Sequence, residues 1–184
     1  MVAVRQIKTY SFLIILFLFL NLYEIAEGAT MSLFSKKEEK VVIFSPMQGV
    51  VTYKGKPAMG AKLERRLKWK DEIGIKDTVI ADEKGRFEFL IVEDVIKLNA
   101  ITQFVIAQEI FVTFKNREYP IWAKAKRGKA LYDELNGKPI GLTCELTDQF
   151  ERIESGNGML ITSCKWNEIK GRDYYEGSRA KGGS

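Results

Sequence analysis

Histidine is missing from all 184 positions of the chain. That absence excludes Ser-His-Asp and Cys-His nucleophiles, imidazole acid–base chemistry and histidine-ligated zinc. Cysteine occurs only at Cys144 and Cys164. Two thiolates are too few for a four-cysteine zinc site or an iron–sulfur cluster, and no C-x-x-C pair is present for redox exchange. The spaced acidic calcium loop and the glycine-rich phosphate loop are also missing. There is no repeat, coiled coil or low-complexity tract. These gaps point away from enzymes. No catalytic residue, cofactor or metal is expected.

What is present reads as globular, with 46% apolar and 29% charged residues. Lys plus Arg number 29 against 24 for Asp plus Glu, a net charge of +5. Such a balance suits an acidic surface as partner.

The first residues read as an address. Arg5 and Lys8 precede the apolar run from Phe12 to Leu20, and Ala26-Glu27-Gly28 offers small residues for cleavage before Ala29. The order is that of a secretory signal, too short for a membrane span of about 20 residues. Residues 1–28 are therefore expected to be a signal peptide and 29–40 a flexible leader. The protein is expected to be periplasmic or secreted. An uncleaved anchor is the competing reading, and translation from Met31 would instead leave the protein in the cytoplasm.

The remainder alternates with a period of two, which predicts strands. Leu63, Arg65, Leu67 and Trp69 share one face, and Lys62, Glu64, Arg66, Lys68 and Lys70 the other. Phe87, Phe89 and Ile91 follow the turn at residues 82–85, and a hairpin turns at Asn116-Arg117. Two short helical pieces are expected, a turn within 93–102 and a helix over Lys129–Asn136 ended by Gly137. Leu142, Cys144 and Leu146 share one face of a late strand, and Leu160, Thr162, Cys164 and Trp166 one face of another. One β-domain over 41–166 and a polar tail over 167–184 complete the expectation.

Gly49, Gly55, Pro57, Gly60, Ala61, Asp82, Gly85, Phe87 and Phe89 together form a glycine-started strand, a G-x-P turn, a Gly-Ala step and a D-x-x-G-x-F-x-F hairpin. This pattern resembles the carboxypeptidase-regulatory-like, or transthyretin-like, module. The resemblance implies a mostly antiparallel β-sandwich. The C-terminal half looks like that of small bacterial proteins with the same front half, some associated with immunity to toxins. One enzymatic relative of the module, a hydrolase, uses histidines and a terminal Tyr-Arg-Gly-Ser. This chain reads Tyr175-Glu176-Gly177-Ser178, so the hydrolase reading fails.

Four groups of residues stand out. Cys144 and Cys164 are expected to form a disulfide in an oxidising compartment, and to be buried thiols if Met31 is the start. Lys62, Arg66 and Lys68 form a basic stripe that either docks an acidic protein or is a solvated face. Trp122 reads as exposed beside Lys124, Lys126 and Arg127, an anchor ringed by cations. A small core under the 129–136 helix is the alternative for Trp122. Nucleic-acid binding lacks the stacking aromatics it needs. The expected function is that of an exported protein-binding module, most sharply an immunity protein that occludes a toxin. A structural or adhesive envelope module is the competitor.

Overall fold

The computed structural model describes residues 37–98, 104–155 and 158–170. The expected signal at 1–28, the leader up to residue 36 and the tail beyond residue 170 lie outside them. The strands are β1 (Lys37–Phe44), β2 (Met47–Tyr53), β3 (Lys56–Pro57), β4 (Lys62–Lys68), β5 (Ile75–Ile80), β6 (Arg86–Phe89), β7 (Val92–Leu98) and β8 (Ile106–Phe114). They continue as β9 (Arg117–Lys126), β10 (Lys138–Ile140), β11 (Thr143–Glu145), β12 (Glu151–Ser155), β13 (Gly158–Thr162), β14 (Cys164–Lys165) and β15 (Glu168–Lys170). β1 thus begins inside the expected leader, and β15 lies in the expected tail. Among the described residues there is no helix, and none long and apolar enough to cross a membrane.

One sheet has six strands in the order β12-β13-β9-β8-β4-β5, all antiparallel. A second has the order β14-β11-β2-β3, with β6 also pairing β2. Its β2–β11 pairing is parallel, and its other pairings are antiparallel. β1 pairs with β7, and β10 with β15. Two compact units result. The smaller includes Lys37–Glu39 and residues 97–98, where Lys97 meets Glu38 at 3.2 Å. The larger holds everything described below.

The alternation in the sequence decides which side chains are buried. Leu63, Arg65 and Leu67 on β4 lie inward, and so do Ile106, Gln108, Ile110 and Val112 on β8. Val41 to Phe44, an uninterrupted apolar run, is buried at all four positions. Arg65 is only 2% exposed. Its guanidinium lies over the rings of Phe44 and Phe89, 4.6 and 4.8 Å from their centroids. It donates to Asp77 and to the Leu90 carbonyl, so the buried charge is paired and its donors are used.

Two turns show why particular residues are needed. Gly85 has φ 73°, and a Cβ there would lie 2.4 Å from the Val51 carbonyl oxygen. Only glycine fits this D-x-x-G turn. At Lys54-Gly55 both residues have positive φ, the requirement of a type I′ hairpin. The Glu145 carboxylate holds this turn by accepting from the Lys54 and Gly55 amides at 2.9 and 3.0 Å and from Thr52 and Thr147. Burial pushes the Glu145 carboxyl up, but those donors outweigh it and bring it down to about 2.

Both expected helical pieces are corrected. Residues 93–98 belong to β7, and 99–103 lie outside the described residues. Residues 131–136 form turns. Tyr132 has φ 60°, incompatible with a helix, and its amide donates to Ser45 Oγ at 2.7 Å. The helical spacing of KALYDELN loses to a tertiary demand: this turn conformation carries Glu134 inward to the cations of β9.

The disulfide is present. Cys144 and Cys164 are directly opposed on β11 and β14 and bridged, closing a 20-residue separation. In the chain-entropy account such a loop contributes about 3 kcal/mol. The bridge fits an oxidising, extracytoplasmic location.

Candidate functional site

The surface expected around Trp122 does not exist. Trp122 is 1% exposed, Lys124 4% and Lys126 0%; only Arg127 of that group is exposed. The cause is a β-bulge. On β8, Ile110 faces Trp122 while the next residue, Phe111, faces Pro120, so Ile121 is extra. The inserted residue reverses the alternation of β9, turning Trp122, Lys124 and Lys126 toward the core. Pro120 was the available signal, since proline inside a strand marks an edge or a bulge.

The buried lysines enter a polar network. Lys126 Nζ donates to the Val42 and Ala130 carbonyls at 2.9 and 3.2 Å and to Glu134 Oε1 at 3.0 Å. Glu134 also accepts from the Ser45 amide, Ser45 Oγ and Gln108 Nε2. Burial alone would raise the Glu134 carboxyl, but the charge of Lys126 and these donors hold it below its usual range. Lys124 Nζ donates to the Gly158 carbonyl at 3.0 Å. Burial lowers Lys124 from 10.5 to about 8, with Glu134 opposing and Lys126 adding to the fall.

Lys124 gives a pH test. Between about pH 8 and 10.5 the unfolded chain keeps a proton that folded Lys124 has released. Unfolding then takes up protons, so this group makes the fold more stable as pH rises through that window. Lys124→Met is expected to melt higher than the parent at pH 7, with the gap narrowing toward pH 10 in paired thermal melts. A gap constant across this range contradicts the assignment.

The basic stripe is present but largely neutralised. Arg66 bonds Glu64, approaches Glu118 at 3.8 Å and covers the Phe111 ring at 4.2 Å. Lys68 lies 3.8 Å from Glu72, and Lys62 is exposed. The structure therefore keeps Lys62, Arg66 and Lys68 together on the outer face of β4, and separates them from the buried Trp122, Lys124 and Lys126.

A different feature has the dimensions of a binding site. A groove of about 710 Å³ lies over β2 and β6, within the 300–1,000 Å³ typical of ligand pockets. Gln48 and Val50 of β2 and Arg86 and Glu88 of β6 contribute to its floor. Residues 138–142 line it on one side, where the Val50 amide bonds the Leu142 carbonyl. Val79 and Ile80 of β5 also line it. Gly49 permits this shape, because a Cβ there would meet Phe87 at 2.9 Å and the Leu142 oxygen at 3.0 Å. The acids of the groove region are bonded in place. Gln48 donates to Glu88 at 2.7 Å, and Arg86 bonds Asp82 at 2.7 Å, which holds the Asp82 carboxyl below its usual range. This groove is not legible in the sequence, since residues 79–80, 86–88 and 138–142 converge only in the folded chain.

Residues 47–149, more than half of the chain, match a family described as a domain of unknown function, DUF6795. The chain belongs to the DUF6795 family. Every residue of the groove except Pro46 lies within the family match, whereas Cys164 and β12 to β15 lie beyond it. No curated protein and no solved structure matches the chain.

Proposed function

We propose that this DUF6795 protein is an exported binding module that engages a protein partner through the groove over β2 and β6. The carrying observation is that groove: about 710 Å³, with the apolar side chains of Val50, Pro139 and Ile140 among polar groups. Apolar surface surrounded by a few fixed polar groups is the usual composition of a recognition site. The disulfide beside β2 and the signal-like N-terminus support export. The histidine-free sequence favours binding over catalysis. A transthyretin-like sandwich is the arrangement we infer, supported by the Gly85 turn and by Gly49 under Phe87. In its sharpest form the module is an immunity protein whose partner is a toxin, occluded on binding.

The test is co-expression survival with the product of the neighbouring gene, directed to the envelope. The protein is expected to protect. Val50→Trp, which fills the groove from a half-buried position on the outer face of β2, is expected to abolish protection with a near-parental melt. A Val50→Trp variant that protects fully removes the groove from the mechanism. A neighbouring product harmless without this protein removes the immunity role and leaves a structural or adhesive module in its place.

A further inference from the structure

The strand that lines the groove with Val79 and Ile80 is also an open edge. β5 pairs with β4 from Lys62↔Ile80 to Leu67↔Ile75 without a break, and has no partner on its other side among the described residues. Alternate amides and carbonyls of such a strand point away from its neighbour and can accept another strand. Natural edges are usually blunted by proline, a bulge or charge. β5 has no proline and no bulge in its pairing, and it presents Ile80 at 61% and Ile75 at 38% exposure. The opposite edge of the same sheet differs: on β12, Arg152 and Glu154 pair with each other at 2.9 Å.

Charge around β5 is mixed, and its acids are more fully engaged than its lysines. Asp77 is held by Arg65, Glu64 by Arg66, and Glu88 by Gln48. Lys62, directly opposite Ile80, and Lys76 on β5 are exposed and make no ion pair among the described residues. The same holds for Lys138 in the groove lining, whose ammonium lies 6.0 Å from the Tyr132 ring centroid. Glu88 keeps its charge, since Gln48 is neutral, and Glu64 also feels Lys62 and Lys76, yet these two lysines and Lys138 are exposed and make no ion pair among the described residues. A lysine on an edge repels indiscriminate pairing yet favours a strand that brings acid.

We propose that β5 captures its partner by strand addition: an extended, acidic segment of another protein pairs with the open edge of β5. Its carboxylates meet Lys62 and Lys76 on the face they share with Ile80, and its apolar side chains, on the other face, enter the groove beside Val79. This rests on the groove reading and names the chemistry of its occupant. Main-chain pairing supplies the affinity of this mode, and the alternate side chains supply the selection.

The experiment uses the full mature chain and a labelled, capped Val-Glu-Val-Glu-Val-Glu peptide, followed by fluorescence anisotropy and amide hydrogen exchange. The peptide is expected to bind about tenfold more tightly than its Val-Lys counterpart at low salt, with the ratio shrinking as salt rises. Methylating alternate amide nitrogens of the peptide is expected to abolish binding. Exchange should slow along residues 75–80, and Lys62→Glu with Lys76→Glu should invert the charge preference. The proposal is overturned by absence of binding, by equal binding of the Glu, Lys or N-methylated peptides, or by protection on β12 instead. Protection of β5 that grows with protein concentration, without peptide, identifies a second copy as the occupant and also overturns it. If Val50→Trp abolishes partner binding while the β5 variants do not, the groove stands and strand addition falls.

Discussion

Trp122→Ala is expected to lower stability by about 3–5 kcal/mol, the range for deleting a large buried aromatic side chain. Trp122 is 1% exposed, and its neighbours across the pairings are Ile110 on β8 and Thr162 on β13, both buried. Alanine leaves a cavity that strands fixed in two ladders cannot collapse to fill. Any loss of partner binding in this variant then follows from unfolding, not from a missing contact. Trp122→Phe supplies the contrast. Among the described residues the indole N–H has no hydrogen-bond partner, so phenylalanine removes no bond there and loses only part of the volume. It is expected to lose under about 2 kcal/mol, within the range for modest core changes. Urea unfolding of the three proteins measures both effects. An alanine variant within about 1 kcal/mol of the parent would return Trp122 to the surface.

Glu134→Ala is the second large effect, again about 3–5 kcal/mol. The carboxylate is buried and takes at least four donors, among them Lys126, Gln108 and Ser45. Removing it leaves the fully buried Lys126 ammonium without its counter-charge and exposes two Ser45 donors to the same loss. Desolvating an unpaired ion is far more costly than losing a hydrogen bond between neutral groups. Glu134→Leu combined with Lys126→Met is expected to recover much of the stability, because an apolar pair needs no compensation. The pH dependence carries a sign. The folded Glu134 carboxyl lies below its ordinary 4.5, so its stabilisation is complete above that value and is lost as pH falls through the folded value. The parent should therefore lose stability on acidification more steeply than the apolar double variant. Parallel acid titrations by circular dichroism would refute the ion pair if the two curves coincided.

Strand positions were legible wherever one face is charged and the other apolar. Leu63, Arg65 and Leu67 against Lys62, Glu64, Arg66 and Lys68 specify β4 and its inner face before any partner is known. The D-x-x-G turn was legible because Gly85 alone tolerates the backbone there. The disulfide was legible as two inward cysteines in an apparent export context. The helix at 129–136 was misread because its spacing satisfies a helix locally, while Glu134 satisfies a charge on another strand. The surface at Trp122 was misread because a period-two count assumes unbroken pairing, and one extra residue at Ile121 inverts everything after it.

The sequence by itself determined the β class, the inward face of β4, the D-x-x-G turn and the pairing of two cysteines. Those properties depend on residues near one another along the chain, or on there being one possible partner. The hairpin expected to turn at Asn116-Arg117 instead turns one residue earlier, at Lys115-Asn116, where both residues have positive φ. The tertiary structure decided that two lysines are interior, that the 129–136 segment turns to deliver a carboxylate, and that β2, β5, β6 and residues 138–142 enclose one groove. Each depends on ladder register and on burial, which are set by contacts between residues many positions apart. Local alternation carries no information on where a bulge shifts that register.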